Sequence, residues 1–286
     1  MAEIQYYPGH MEKTRREIQN RLDIIDIVFE IVDARAPFST QHPDITTIVK
    51  NKPRLMLINK SDLADERALD GFEKHYRELG FETIRINARS GKNVREILPA
   101  ARRMLEGMFS KEKSRGREER PIRALILGIP NVGKSTLINR LVDKRVTRVG
   151  DRPGITRHLQ TIRVHKALEL LDTPGVLPPK ITPKERALKL ALLGAIKDHL
   201  VPRDEVVLYG FDILLRHYKE AFEARYDVVF DSDDPMVIFE KIGTRIGALK
   251  KGGVVDYDKV MDRFLHDFRH QQFGRLTLER ADDDDV

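Results

Sequence analysis

The chain contains no cysteine and no tryptophan, and aromatic residues make up only 7% of its 286 positions. Without cysteine there are no disulfides, thiolate metal sites or thiol nucleophiles, so the chain reads as a cytoplasmic protein. No apolar run approaches the roughly 20 residues that a membrane span needs. The opening stretch "MAEIQYYPGHMEKTRREIQN" is polar and charged, unlike a secretory leader, and no long internal repeat is present. What remains is a chain with 41% hydrophobic residues, enough for real cores, and a length that suggests two domains.

The net charge of +6 is unevenly placed. Residues 1–179 carry 33 basic against 24 acidic side chains, whereas residues 180–286 carry 18 against 21. The basic excess is densest from Lys144 to Lys166, with seven basic residues and the single acid Asp151. A basic loop beside a phosphate site favours contact with a polyanion.

Apolar β-branched runs end in polar residues at "IIDIVFEIVDARAP", "PRLMLINKSDL" and "FETIRINARSG". Helical spacing marks "DERALDGFEKHYRELG", stopped by Gly80, and "NVREILPAARRMLEGMF", in which Pro99 predicts a kink. "SKEKSRGREER" reads as a charged linker. Strands resume after it, at "IRALILGIPNVGKSTLINRLV", "TRVGDRPGITRHLQTIRV" and "LELLDTPG". Such alternation predicts a mostly parallel sheet with helices on both faces over residues 1–179. From residue 180 the texture turns all-helical. Thr182, Pro183 and Glu185 spell a capping box, and Val207, Phe211, Leu214, Leu215, Tyr218 and Phe222 form one helical stripe. The acidic tail "ADDDDV" is expected to be solvated and disordered.

Three motifs carry the chemistry. "GIPNVGKS", Gly128 to Ser135, fits G-x-x-x-x-G-K-[ST]. Its backbone N–H groups would cradle phosphate, Lys134 would neutralise the β and γ phosphates, and Ser135 would ligate magnesium. Its contact residues are Asn131, Val132, Gly133, Lys134, Ser135 and Thr136. "NKSD" fits N-K-x-D: the Asp62 carboxylate can take two hydrogen bonds from guanine, Asn59 can brace the loop, and the Lys60 stem can lie over the base. In "NARSGKN", Asn87 and Ala88 would approach the base, with the Ala88 N–H directed at guanine O6. "DTPG" fits D-x-x-G, with Asp172 a magnesium group 38 residues beyond Lys134 and the Gly175 N–H meeting the γ-phosphate. Thr156 in "RPGIT" offers a second hydroxyl to magnesium.

The order of these motifs is unusual. The base-reading "NKSD" precedes the phosphate loop, which amounts to a circular permutation closed through "SKEKSRGREER". With "YYPGHM" at the start, "DARAP" after the first strand and a helical end, the chain resembles the circularly permuted GTPases of bacterial ribosome assembly nearly end to end. The resemblance implies GTP hydrolysis linked to release from the large ribosomal subunit or its precursor late in assembly. GTP and GDP, magnesium and also potassium follow as ligands, and a monomer with no membrane partner is expected. Val176 stands where many GTPases carry a glutamine. The resemblance assigns the water-positioning role to His10 instead, and a potassium ligand to Asn131. Lys144, Arg145, Arg148, Arg152 and Arg157 would meet RNA phosphates, and Leu177 to Pro179 would form the joint to the helical domain. A nucleotide-gated RNA- or protein-binding adaptor with little turnover is the alternative, and a GTPase acting on tRNA or membrane partners is another.

Overall fold

A computed structural model of the chain describes residues 9–142, 159–175, 177–178 and 180–282. The chain forms two compact units, Thr182–Leu278 and Met1–Ile181 together with the segment from Glu279 onward. The last residues therefore cluster with the first unit rather than with the helical one, a difference from the expected 1–179 and 180–286 division.

The first unit contains β1 (Ile27–Asp33), β2 (Arg54–Asn59), β3 (Glu82–Arg85), β4 (Ile122–Leu127), β5 (Gln160–His165) and β6 (Leu168–Asp172), in the spatial order β3-β2-β1-β4-β6-β5. Every pairing is parallel except β5 with β6. Its helices are α1 (Gly9–Gln19), α2 (Pro37–Thr40), α3 (Ile45–Val49), α4 (Glu66–Glu78), α5 (Ile97–Ser114) and α6 (Lys134–Val142). Burial explains the continuous apolar strands. Val28 packs with Ile18 of α1, Ile45 and Ile48 of α3, and Leu125 and Leu171 of the neighbouring strands. Val32 packs with Met56, Ile58, Leu69, Phe72 and Tyr76 around α4. Ile27, Phe29 and Ile31, one step out of phase, are equally buried, so both faces of β1 are covered.

Several local expectations change. α5 runs through "SKEKS", so half of the expected linker is helix, with Lys111 and Lys113 in a last turn that favours cations. Pro99 lies in the first turn of α5, where its missing N–H breaks no helical bond, which removes the reason to expect a kink there. The short α2 and α3, unmarked by periodicity, fill the crossover between β1 and β2.

The helical unit contains α7 (Lys184–Leu192), α8 (Arg203–His217), α9 (Lys219–Tyr226), α10 (Pro235–Arg245) and α11 (Tyr257–Arg269). Its core is aromatic: Phe211 meets Phe264 edge-on with ring centroids 4.8 Å apart, and Phe222 at 5.4 Å. The one helical stripe expected from Val207 to Phe222 falls on two helices, broken at Tyr218. The predicted capping box does not form. Pro183 occupies the N-cap without a side-chain bond, and Glu185 instead accepts from the Tyr209 hydroxyl at 2.8 Å and pairs with Lys189 at 3.0 Å.

Candidate nucleotide site

Parallel register sets the site. Asp33 lies opposite Asn59, and Ile126 opposite Asp172, so "DARAP", "NKSD", the phosphate loop and "DTPG" all leave the sheet at its carboxyl edge. β1 and β4 are neighbours whose following strands run outward in opposite directions, which makes their junction the topological switch point where such sheets bind ligands.

At one end of this edge the polar groups engage one another. Asn59 is buried; its amide donates to the Val132 carbonyl at 2.7 Å, and its Oδ1 accepts from the Ala88 N–H at 2.9 Å. The N–H expected to face guanine O6 is here donated to Asn59 Oδ1. Lys60, at φ 60°, donates to the Asn131 carbonyl at 2.7 Å and pairs with Asp33 at 2.7 Å. Burial pushes the Asp33 carboxyl up, but the Arg35 guanidinium and the Lys60 ammonium outweigh it and hold it well below the usual carboxylate range. Arg35 grips Asp33 through Nε at 3.0 Å and a terminal nitrogen at 2.8 Å. Asp62 projects from this braced loop and is exposed. Asn87 closes its own loop by accepting from the Arg89 and Ser90 N–H groups, both at 2.9 Å.

Gly133 explains itself by contact: its φ is 98°, and a Cβ there would collide with the Asn59 amide. Gly175 likewise abuts the phosphate loop, since a Cβ would stand 2.9 Å from the Pro130 nitrogen.

The other end is different. Lys134 opens α6 and is 6% exposed, while Asp172 ends β6 and is 0% exposed. Their charged groups stand 3.2 Å apart, yet among the described residues neither the Lys134 ammonium nor either Asp172 oxygen makes a hydrogen bond. Burial draws the Lys134 ammonium below its ordinary pKa, opposed by Asp172. Buried charges without hydrogen bonds are costly. A carboxylate and an ammonium in this condition suit a magnesium ion and a phosphate. Ser135 and Thr136 follow on the first turn of α6, half-buried, and Thr173 beside Asp172 donates to the Ile126 carbonyl at 2.9 Å. His10 is the second residue of α1; its side chain, Thr156, Val176 and the basic residues Lys144, Arg145, Arg148, Arg152 and Arg157 lie outside the described residues.

Three site residues escaped the sequence. Asp33 and Arg35 belong to "DARAP", whose signal was a charged pair closing an apolar strand. Arg140, in the last turn of α6, donates to the Ala88 carbonyl at 3.4 Å and to the Arg89 carbonyl, with no local signal to announce it.

Residues 123–239 match the family described as 50S ribosome-binding GTPase. That match starts at the phosphate-loop strand and leaves the base-reading half upstream, as the permuted order requires. Over 280 residues, 98% of this chain and 99% of the relative, the sequence is 45% identical to Ribosome biogenesis GTPase A of Bacillus licheniformis. Among solved structures, GNP-bound YlqF from T. maritima aligns with a TM-score of 0.63 at 26% identity, over 95% of this chain and 99% of that one. GDP-bound TM YlqF aligns at 0.65 and 28%, over 94% and 100%. Among the described residues no helix is long and apolar enough to cross a membrane. The chain is a GTPase and belongs to the ribosome biogenesis GTPase A family.

Proposed function

We propose that the chain is a GTP-driven factor for late assembly of the large ribosomal subunit, held on the particle with GTP and released after hydrolysis. The observation that carries the nucleotide reading is the buried Lys134–Asp172 pair without hydrogen bonds, at the same sheet edge as the Asn59–Lys60 loop. In this reading Asp62 takes the guanine N1–H and amino group, and Asn59 and Lys60 fix its loop against Asn131 and Val132. Backbone groups of Gly133 to Thr136 and the Lys134 ammonium bind the phosphates, and the N-terminus of α6 adds its positive end. Ser135, Thr156 and Asp172 would hold magnesium, which when bound neutralises charge on the phosphate oxygens.

Val176 offers no group to orient water, so that task falls to His10. A neutral imidazole nitrogen accepts a hydrogen bond from the attacking water near neutral pH. At the loop's other corner, Lys60 holds the Asn131 carbonyl, and by the family resemblance the Asn131 side chain would be the group to meet potassium. The large-subunit assignment is supported by the description of the matching family, and RNA contact by the basic excess of residues 1–179. Binding through phosphate contacts would weaken steeply with salt.

One experiment tests both halves. Wild type co-sediments with large-subunit particles in a non-hydrolysable GTP analogue and not in GDP, and particles accelerate its turnover. His10→Ala keeps GTP affinity and co-sedimentation but loses most of that acceleration, about a hundredfold for a lost positioning group. Equal binding in GDP refutes the release cycle. An absence of acceleration by any particle favours the adaptor.

A further inference from the structure

The chain crosses between its two units a second time, near its end. Thr277 is anchored in the helical unit, its N–H donating to the Tyr218 hydroxyl at 2.8 Å. Two residues later Glu279 belongs to the nucleotide-binding unit and is 2% exposed. Its carboxylate accepts from the Phe38 N–H at 2.9 Å, from the Ser39 N–H at 3.0 Å and from the Ser39 hydroxyl. These are donors at the start of α2, where no intrahelical acceptor exists. The next residue, Arg280, pairs at 3.5 Å with Asp65, the N-cap of α4. Ala281 then packs on the apolar cluster of Phe72 and Tyr76. So three consecutive residues, the last of them the first of the tail expected to be disordered, are fastened across the openings of the two helices that follow "DARAP" and "NKSD".

Those fastenings reach the base-reading loop in a few bonds. Phe38 lies edge-on to Phe72, ring centroids 4.9 Å apart, which locks α2 to α4. Thr40, at the end of α2, accepts the Asp33 N–H at 2.9 Å. Asp33 in turn holds Lys60, and Lys60 holds the phosphate loop at Asn131. This chain of contacts reaches the phosphate loop only through the Asn131 carbonyl. It bears on the loop that presents Asp62.

We infer that the strap Glu279–Ala281 is a positioning element for the guanine end of the site: docked, it retains bound nucleotide, and undocked, it speeds nucleotide release. The inference rests on the reading of "NKSD" as the guanine-binding loop. Only Leu278 separates the anchor at Thr277 from that at Glu279, about 7 Å of chain at full extension, so a displacement of the helical unit would pull on Glu279 before slack could absorb it. The helical unit would then govern GDP release through this tether, independently of the joint expected at Leu177 to Pro179.

The test uses the full chain and follows dissociation of a fluorescent GDP. Glu279→Ala speeds GDP dissociation about tenfold and raises the GTP KM in proportion, with kcat at saturating GTP changed less than about twofold, because charge-assisted bonds are lost only at the base end. Glu279→Gln, which keeps a carbonyl acceptor, falls between. A dissociation rate within about twofold of wild type overturns the inference, whatever the variant does to the melting temperature. Should Glu279→Ala fail to fold, Ser39→Ala removes a single donor and is expected to speed release about threefold; an unchanged rate is again fatal. Asp62→Asn separates this from the underlying reading. An amide there donates to the xanthine C2 carbonyl and shifts preference from GDP toward xanthosine diphosphate. Without that shift the base assignment fails; with it, unaltered Glu279 variants defeat the strap alone.

Discussion

The two ends of the nucleotide site are built on opposite plans. At the base end Asn59, Lys60, Asp33, Arg35 and Ala88 answer one another's hydrogen bonds, so the loop that presents Asp62 is shaped by the protein itself. At the phosphate end Lys134 and Asp172 are buried as a charged pair with no hydrogen bonds among the described residues, an arrangement that suits an anion and a cation. In the proposed site, ligand binding would therefore gain most where the protein is least satisfied, and selectivity where the loop is already braced.

The largest break in this contrast is Lys134→Met. It strands Asp172 as an unpaired buried carboxylate, costing about 3–5 kcal/mol of stability, and it removes the ammonium that would face the phosphates. GTP turnover is expected to vanish, and nucleotide to stop raising the melting temperature; calorimetry with and without the GTP analogue checks both. Asn59→Ala comes next. It opens two bonds within the prebuilt end, to Val132 and Ala88, each worth about 1–3 kcal/mol once a buried partner is left unpaired. Here KM rises while kcat at saturation holds, a split that steady-state kinetics resolves. A drop in kcat alone would show that the base end is not an independent module.

The smallest effect sharpens the contrast from outside the site. Glu30, in the middle of β1, is pushed by burial to a pKa of about 7, against the pull of Arg54 3.4 Å away. Its folded pKa lies above the unfolded value, so the native state binds more protons between roughly pH 4.5 and 7. Stability therefore falls as pH rises through that window, by no more than about 3 kcal/mol. Glu30→Gln should flatten the decline, seen as a larger gain in melting temperature at pH 8 than at pH 5. GTP affinity should not follow.

The sequence revealed those parts of the site that are contiguous and sit at strand ends. "NKSD", "GIPNVGKS" and "DTPG" each combine an apolar run with a loop of fixed chemistry, and the parallel sheet delivers all three to one edge. Its permuted order was equally legible, because motif order is a property of the chain. What stayed hidden depends on pairing at long range. Glu279 meets Ser39 across 240 positions, and Arg140 meets Arg89 across 51. Local signals also misled where a tertiary partner competed. Glu185 looked like a capping residue, but Tyr209 and Lys189 take its carboxylate. "SKEKSRGREER" looked like a linker by charge, and its first half is instead the last turns of α5.

Helix α6 begins at Lys134 and carries Arg140 in its last turn, against the carbonyls of the loop that flanks the base. A rise of about 1.5 Å per residue separates those two positions by about 9 Å along the axis. In the proposed site the helix would be a fixed-length strut between the grip on the phosphates and the wall beside the base, and a ligand with its base and phosphates at another separation would be disfavoured by that length.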